Sequence, residues 1–269
     1  MTAITPLPAA TVTLVRDGPQ GLEVLMMKRN LQSAFVAGKY VFPGGAVDRA
    51  DAASGVYARC TGLDDEAASR RLGVAADGLA YWIAAIRESF EESGLLLAHA
   101  AAGQPVGHAR ATELSRHRKA VADGDLAFEA LLNDAGLKLA VDELTYFSHW
   151  ITPAGAPRRY DTRFFIAQAP AGQEPVHDNE ETIESVWVSP RVGVEQFRQG
   201  TFKLMTPTIH TLRIFAGYES ATALIDAMRA LPDVPTIAPR IGKDGRRIMP
   251  GEAGYDEAGA HEGSGTWKI

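Results

Sequence analysis

The stretch Arg87-Glu88-Ser89-Phe90-Glu91-Glu92-Ser93-Gly94-Leu95 ends an amphipathic pattern that begins at Tyr81. At about 100° per residue, Glu88, Glu91 and Glu92 fall within one helical sector of about 100°. The apolar residues of the segment point the opposite way, into a core: Ile83, Ile86 and Phe90. The pattern therefore predicts a helix over 81–93, stopped by Gly94, with three carboxylates on one face.

Three carboxylates at this spacing repel one another and weaken an isolated helix. A hard divalent cation would offset that repulsion, because Mg²⁺ and Mn²⁺ favour carboxylate oxygens. Arg87, which flanks the sector, would offset part of it. The alternative is a solvent-exposed acidic helix face that binds no metal. Residues 87–95 alone leave both interpretations open.

A second segment lies upstream, where Val41-Phe42 run into Pro43-Gly44-Gly45-Ala46-Val47-Asp48. This predicts a strand that ends in residues allowing a tight backbone. Together the two segments resemble the Nudix signature G-x5-E-x7-R-E-U-x-E-E-x-G-U, where U is a bulky apolar residue. Gly45 takes the place of the first glycine, and Asp51 stands for the first glutamate.

The chain departs from that signature at three places. Asp51 replaces a glutamate, Ser89 occupies the first U position, and 35 residues separate Asp51 from Arg87 where the signature has seven. We interpret the extra residues as an insertion, about 52–79, between the glycine turn and the helix. The insertion should project outward and leave the turn beside the helix.

The resemblance extends downstream. The segments His149-Trp150-Ile151-Thr152-Pro153 and Pro157-Arg158-Arg159-Tyr160-Asp161-Thr162-Arg163-Phe164-Phe165 are similar to the Nudix branch of the animal peroxisomal coenzyme A diphosphatases. That branch also carries a long insertion inside the signature. Glu181, Glu184 and Trp187 match an E-x-x-E-x-x-W strand common after the signature.

The resemblance implies roles for individual residues. Glu91 and Glu92 would bind Mg²⁺ or Mn²⁺, and Glu88 would be a third ligand or would position or deprotonate water. The carbonyl of Gly44 and the carboxylate of Glu181 would complete the metal site. Arg87 is expected to fix the rotamers of the carboxylates. Structural support of the site is expected from three further signature residues: Gly45, Asp51 and Gly94.

Arg159, Asp161 and Arg163 alternate along a predicted strand and therefore share a face. One interpretation is that Arg159 and Arg163 bind a substrate phosphate, for which the guanidinium fork is suited. The other is a solvated sheet face, or a structural ion pair with Asp161. We favour substrate binding.

Strand and helix patterns interleave without a regular βαβ rhythm, which predicts an α/β (α+β) fold: a Nudix-type mixed sheet sandwiched between helices. The Nudix domain is expected to span 1–235, with a second helical insertion at about 107–139. Gly, Pro and charged residues dominate 236–269, which we expect to be a tail that wraps the domain or is disordered.

Composition limits the partners and the compartment. The chain is 46% hydrophobic with a net charge of −6, which argues against a nucleic-acid partner. Cys60 is the single cysteine, so no intrachain disulfide forms and a reducing, cytoplasmic setting is expected. No apolar run approaches about 18 residues, so no membrane span is expected, and no basic, apolar leader is visible. A homodimer is left open.

The favoured function is hydrolysis of a small organic diphosphate, coenzyme A or acyl-coenzyme A, to 3′,5′-ADP and a phosphopantetheine product. One alternative is a Nudix enzyme acting on ADP-ribose, NADH or a dinucleoside polyphosphate. Another is a non-catalytic Nudix domain that binds nucleotide as a sensor, which the intact Glu88, Glu91 and Glu92 disfavour.

Overall fold

The structure is a computed structural model that describes residues 4–32, 37–100, 103–178 and 180–258. Its strands are β1 Leu7–Gly18, β2 Gly21–Arg29, β3 Tyr40–Val41, β4 Gly44–Ala46, β5 Ala98–Ala100, β6 Leu137–Leu139, β7 Thr145–Ile151, β8 Tyr160–Gln168, β9 Thr182–Val188, β10 Thr236–Ile237, β11 Arg240–Ile241 and β12 Arg247–Ile248. Its α-helices are α1 Ser54–Tyr57, α2 Asp65–Leu72, α3 Leu79–Ser93, α4 His108–Leu114, α5 Arg118–Ala122, α6 Phe128–Ala135, α7 Pro190–Arg198, α8 Thr206–Phe215 and α9 Ala221–Arg229. Short 3₁₀ turns cover Arg49–Ala52, Ser115–His117 and Val141–Glu143.

The main sheet has the strand order β10-β7-β8-β1-β2-β3, with β4 paired to β1 and β9 paired to β2. β1 runs parallel to β8, whereas β1 and β2 form an antiparallel hairpin in which Val15 faces Val24. Farther back along β1, Ala10 faces Gly45 of β4. The long first strand therefore carries the glycine turn into the middle of the sheet.

Each face of the sheet has its own hydrophobic core. On one face, α3 packs Trp82, Ile83 and Ile86 against the sheet residues Val12 and Phe165. On the other face, helices α7, α8 and α9 pack around Met26 and Phe164. The predicted mixed sheet between helical layers is confirmed.

The residues between the turn and α3 fold into small helices. Asp64 caps α2 by accepting a hydrogen bond from Ala67 N, and Gly73 ends the helix with φ 67°. The prediction of a helical insertion over 107–139 is wrong for its last three residues. Leu137–Leu139 form β6, which pairs antiparallel with β5. Helix α8 was not predicted.

The end of the chain contacts the sheet. β10 pairs parallel to β7, with Thr236 opposite His149, and β11 and β12 form a small antiparallel hairpin. The domain boundary at residue 235 stays a prediction, and residues 259–269 of the tail lie outside the described residues. Within the described ranges, no helix is long and apolar enough to cross a bilayer.

Candidate active site

The three carboxylates of α3 are largely removed from solvent. Glu92 is 3% exposed, and the side chains of Glu88 and Glu91 are 14% and 10% exposed. A solvated acidic face would leave these oxygens in water, so that alternative does not describe this helix. Gly94 ends α3 in the left-handed conformation, with φ 75°, which an L side chain adopts only with strain.

The glycine turn lies directly beside these carboxylates. Gly44 N donates a hydrogen bond of 3.2 Å to Glu92 Oε2. A Cβ added at Gly45 would lie 2.5 Å from Glu88 Oε1, so only glycine lets this carboxylate approach. The two halves of the split signature therefore meet in space, and the prediction that residues 52–79 leave them together is confirmed.

Arg87 joins the acidic groups from the buried side of α3. Its Nε and Nη2 donate to Asp51 Oδ1 and Oδ2, both at 2.9 Å, and Nη2 also donates to Ala46 O. Its Nη1 donates to Glu88 Oε1 at 2.9 Å and lies 3.3 Å from both oxygens of Glu91. This single guanidinium fixes the positions of three carboxylates.

The pKa values of the α3 carboxylates are raised by their surroundings. Burial raises the pKa of Glu88 to about 7, although Arg87 partly opposes the shift. Burial, and then the charges of Glu88 and Glu181, raise the pKa of Glu92 well above its ordinary value of 4.5. Without a cation, burial therefore favours the protonated, uncharged form of these carboxylates.

Arg29, at the end of β2, was missed by sequence reasoning. Its Nη2 forms an ion pair of 2.6 Å with Glu181 Oε1, and its Nη1 lies 3.9 Å from Glu92 Oε1. Lys28, the preceding residue, pairs in the same way with Glu184 at 3.1 Å. The signal was present in the sequence: two cations end one strand, and two acids flank the start of the E-x-x-E-x-x-W strand.

The donor set fits a hard divalent cation. Carboxylates are crowded and poorly solvated, and the glycine turn leaves room where a Cβ would collide with Glu88. With the side chains in these positions, no group of three or more His, Cys, Asp or Glu residues in the described part of the chain could hold one ion. Arg87 bridges Glu88 and Glu91, and Arg29 bridges Glu92 and Glu181, so a cation would compete with these arginines.

The two arginines predicted to bind phosphate have other contacts. Arg159 donates from Nε to Thr152 O and from Nη1 to Ile4 O. Arg163 is 5% exposed and contacts both Asp161 and His149. The structural ion pair that was the alternative interpretation of this strand is present, and the phosphate-binding role of both arginines stays a prediction.

The model of the NUDT19 Nudix domain matches residues 57–215. A Gallus gallus protein named acyl-coenzyme A diphosphatase NUDT19 is 30% identical, over 89% of this chain and 74% of that protein. The Homo sapiens protein of the same name is 26% identical, over 76% of this chain and 63% of that protein. A Nudix hydrolase from Alicyclobacillus acidocaldarius superposes with a TM-score of 0.70 at 26% identity, covering 86% of this chain and 98% of that chain.

Proposed function

Because the chain belongs to the Nudix hydrolase family, in the group defined by the NUDT19 Nudix domain, we propose that it hydrolyses the diphosphate linkage of coenzyme A or acyl-coenzyme A. The products are 3′,5′-ADP and phosphopantetheine or its acyl derivative. Two of the relatives carry the name acyl-coenzyme A diphosphatase, which supports this substrate class. The chain spans less than two thirds of the human relative, so its substrate is a proposal.

The observation that carries the proposal is the buried carboxylate cluster beside the glycine turn. A non-catalytic sensor would have no need to keep Glu92 at 3% exposure with a pKa far above its ordinary value. Such an arrangement costs folding free energy unless a cation offsets it. The cluster therefore favours an enzyme over a nucleotide sensor.

We assign the metal ligands to Glu88, Glu91, Glu92, the carbonyl of Gly44 and the carboxylate of Glu181. The Nudix family generally uses divalent cations, and we propose Mg²⁺ or Mn²⁺ because all of these donors are hard oxygens. When bound, such a cation neutralises phosphate charge, lowers the pKa of bound water and stabilises the leaving phosphate.

The protein groups position the reactants. Arg87 holds Glu88 and Glu91 in fixed rotamers while Asp51 anchors its guanidinium from behind. Glu88 Oε1 accepts from Arg87, which leaves Oε2 free of that contact to bind the cation or to take a proton from water. The attack is direct, with no covalent enzyme intermediate.

Arg159 and Arg163 remain our proposed phosphate contacts. Arg163 would have to leave Asp161 to reach a substrate, because its guanidinium already contacts that carboxylate. Arg29 is a further candidate, since a cation bound by Glu92 and Glu181 would release its guanidinium from those two carboxylates. A cytoplasmic location, the lack of a nucleic-acid partner and a homodimer stay predictions.

A substrate panel tests this function. Purified protein would be assayed with Mg²⁺ or Mn²⁺ against coenzyme A, an acyl-coenzyme A, ADP-ribose, NADH and a dinucleoside polyphosphate. We expect the highest kcat/KM on one of the coenzyme A forms. Much faster turnover of ADP-ribose or a dinucleotide would reassign the substrate within the family, and tight nucleotide binding without any turnover would indicate a sensor.

A further inference from the structure

Three cations from distant segments meet at the β3 edge of the main sheet. Lys39 precedes β3, Lys203 precedes α8, and Arg247 begins β12. Tyr40 N donates to Lys203 O at 2.9 Å, which holds the first two segments together. The third segment is fixed by Arg247 Nη1, which donates to Thr206 Oγ1 at the first residue of α8.

Among the described residues, none forms a salt bridge that would neutralise these three cations. Burial, then the charges of Arg247 and Lys203, lower the pKa of Lys39, and burial lowers the pKa of Arg247. In the described ranges of the chain, no carboxylate lies within ion-pair distance of any of the three. Neighbouring Lys28, by contrast, is paired with Glu184 at 3.1 Å. The three positive charges repel one another, and an anion between them would remove that repulsion.

The local main chain adds positive potential. Helix α8 begins beside the three cations, and no side chain caps its N-terminus. Pro207 in the first turn has no amide hydrogen, but the other first amides of the helix have no partner within it, and the aligned peptide dipoles favour an anion there. Lys39 Nζ lies 3.3 Å from Met205 Sδ, which is the residue before the helix.

The cluster is linked to the α3 carboxylates through Arg29, which neighbours Lys39 and contacts Glu92. β2 and β3 are antiparallel with Lys28 opposite Tyr40, so the next facing pair is Arg29 and Lys39. Arg29 N donates to Lys39 O at 2.9 Å, which confirms that the two residues are neighbours. Facing residues of an antiparallel pair project on the same side of the sheet. Lys39 therefore emerges on the side where Arg29 reaches Glu92.

We propose that Lys39, Lys203 and Arg247 bind a phosphate monoester of the substrate, separate from the diphosphate that is cleaved. In coenzyme A this group is the 3′-phosphate, which lies one ribose away from the diphosphate. This inference rests on the proposed function. It makes these cations the determinants of preference for coenzyme A over its 3′-dephospho form.

The test compares kcat/KM for coenzyme A and dephospho-coenzyme A at one ionic strength and one metal concentration. Lys203→Gln and Arg247→Gln should each lower the ratio of the two values by tenfold or more, on the order of the worth of a hydrogen bond to a charged group. Arg247→Lys, which keeps the charge, should recover part of the ratio. Lys138→Gln is the matched control, because Lys138 is exposed on β6, outside the main sheet.

The outcomes separate this inference from the proposed function. An unchanged ratio in both Gln variants, with coenzyme A still hydrolysed, would overturn the inference and leave the function standing. If neither coenzyme A form is hydrolysed, the proposed function fails. Calorimetry that compares the affinities for 3′,5′-ADP and 5′-AMP then still tests whether the three cations bind a phosphate monoester. Wild-type protein should bind 3′,5′-ADP at least tenfold more tightly than 5′-AMP, and equal affinities, or a preference retained in Arg247→Gln, would overturn the site.

Discussion

Replacing Glu92 by Gln should make the metal-free protein more stable and the enzyme nearly inactive. Glu92 is 3% exposed, and its closest cation is Arg29, 3.9 Å away. Gln keeps the size, and its carbonyl oxygen still accepts the hydrogen bond from Gly44 N. The substitution therefore removes a buried charge, keeps the Gly44 hydrogen bond and loses only the long ionic contact with Arg29.

The two effects have separate magnitudes. Burying a charged group with incomplete pairing costs about 1–3 kcal/mol or more, so Glu92→Gln should raise the free energy of unfolding by about that amount at pH 8. Loss of a metal-binding carboxylate should lower kcat by a factor on the order of 10² or more, equivalent to about 2.7 kcal/mol of activation free energy. Stability and activity thus change in opposite directions.

Asp51→Asn is the matched comparison, because Asp51 is 2% exposed but forms two hydrogen bonds of 2.9 Å with Arg87. Breaking this buried pair should destabilise the protein by about 3 kcal/mol, with a smaller loss of kcat than in Glu92→Gln. The assays are urea unfolding with a chelator present, and steady-state turnover with saturating metal. A destabilised Glu92→Gln protein, or one with near-normal kcat, would refute the reasoning.

Gly45→Ala should fold but lose at least tenfold in kcat/KM, because its Cβ would lie 2.5 Å from Glu88 Oε1 and displace that flexible side chain; normal turnover would exclude a role for this close approach. Arg118→Met should lower the unfolding free energy by roughly 2 kcal/mol, since the Arg118 guanidinium donates to carbonyls at the end of α3 and in the loop before β9; unchanged urea unfolding would contradict this. In the metal-free protein, the pKa of Glu88 is raised from 4.5 to about 7, so the folded state holds its proton more tightly than the unfolded state. The free energy of unfolding should therefore fall by up to about 3 kcal/mol as pH rises from about 4.5 through 7. A fall of the same size in Glu88→Gln would show that other groups cause this pH dependence.

Local patterns were enough to predict most of the elements that position the site. The periodicity of residues 81–93 predicted the helix that carries the three carboxylates, and in the structure this helix begins two residues earlier, at Leu79. The β1–β2 hairpin turns after Gly18, where Asp17-Gly18-Pro19 separates two apolar runs. Helix α8 was missed because Pro207 at its start and two threonines resemble a loop, whereas in the fold Ile209, Leu212 and Phe215 are buried in one core.

Contacts between distant segments were not predictable in the same way. The register of β10 on β7 joins Thr236 to His149, and nothing local specifies that pairing. In the site, the carboxylates came from one continuous motif, but the partners of Arg29 lie 63 and 152 positions farther along the chain. The contact of Arg247 with Thr206 likewise depends on the β11–β12 hairpin, which the sequence did not reveal.

The most direct test of the account is hydrolysis of coenzyme A in water enriched in ¹⁸O, with the products identified by mass. The wild-type protein with Mg²⁺ or Mn²⁺ should give 3′,5′-ADP and phosphopantetheine, with one ¹⁸O atom in one of the two products. The products should be absent with a chelator and reduced at least a hundredfold in Glu92→Gln. If folded, metal-supplied protein cleaves neither coenzyme A nor any other organic diphosphate, the assignment of the α3 carboxylates to this chemistry is wrong.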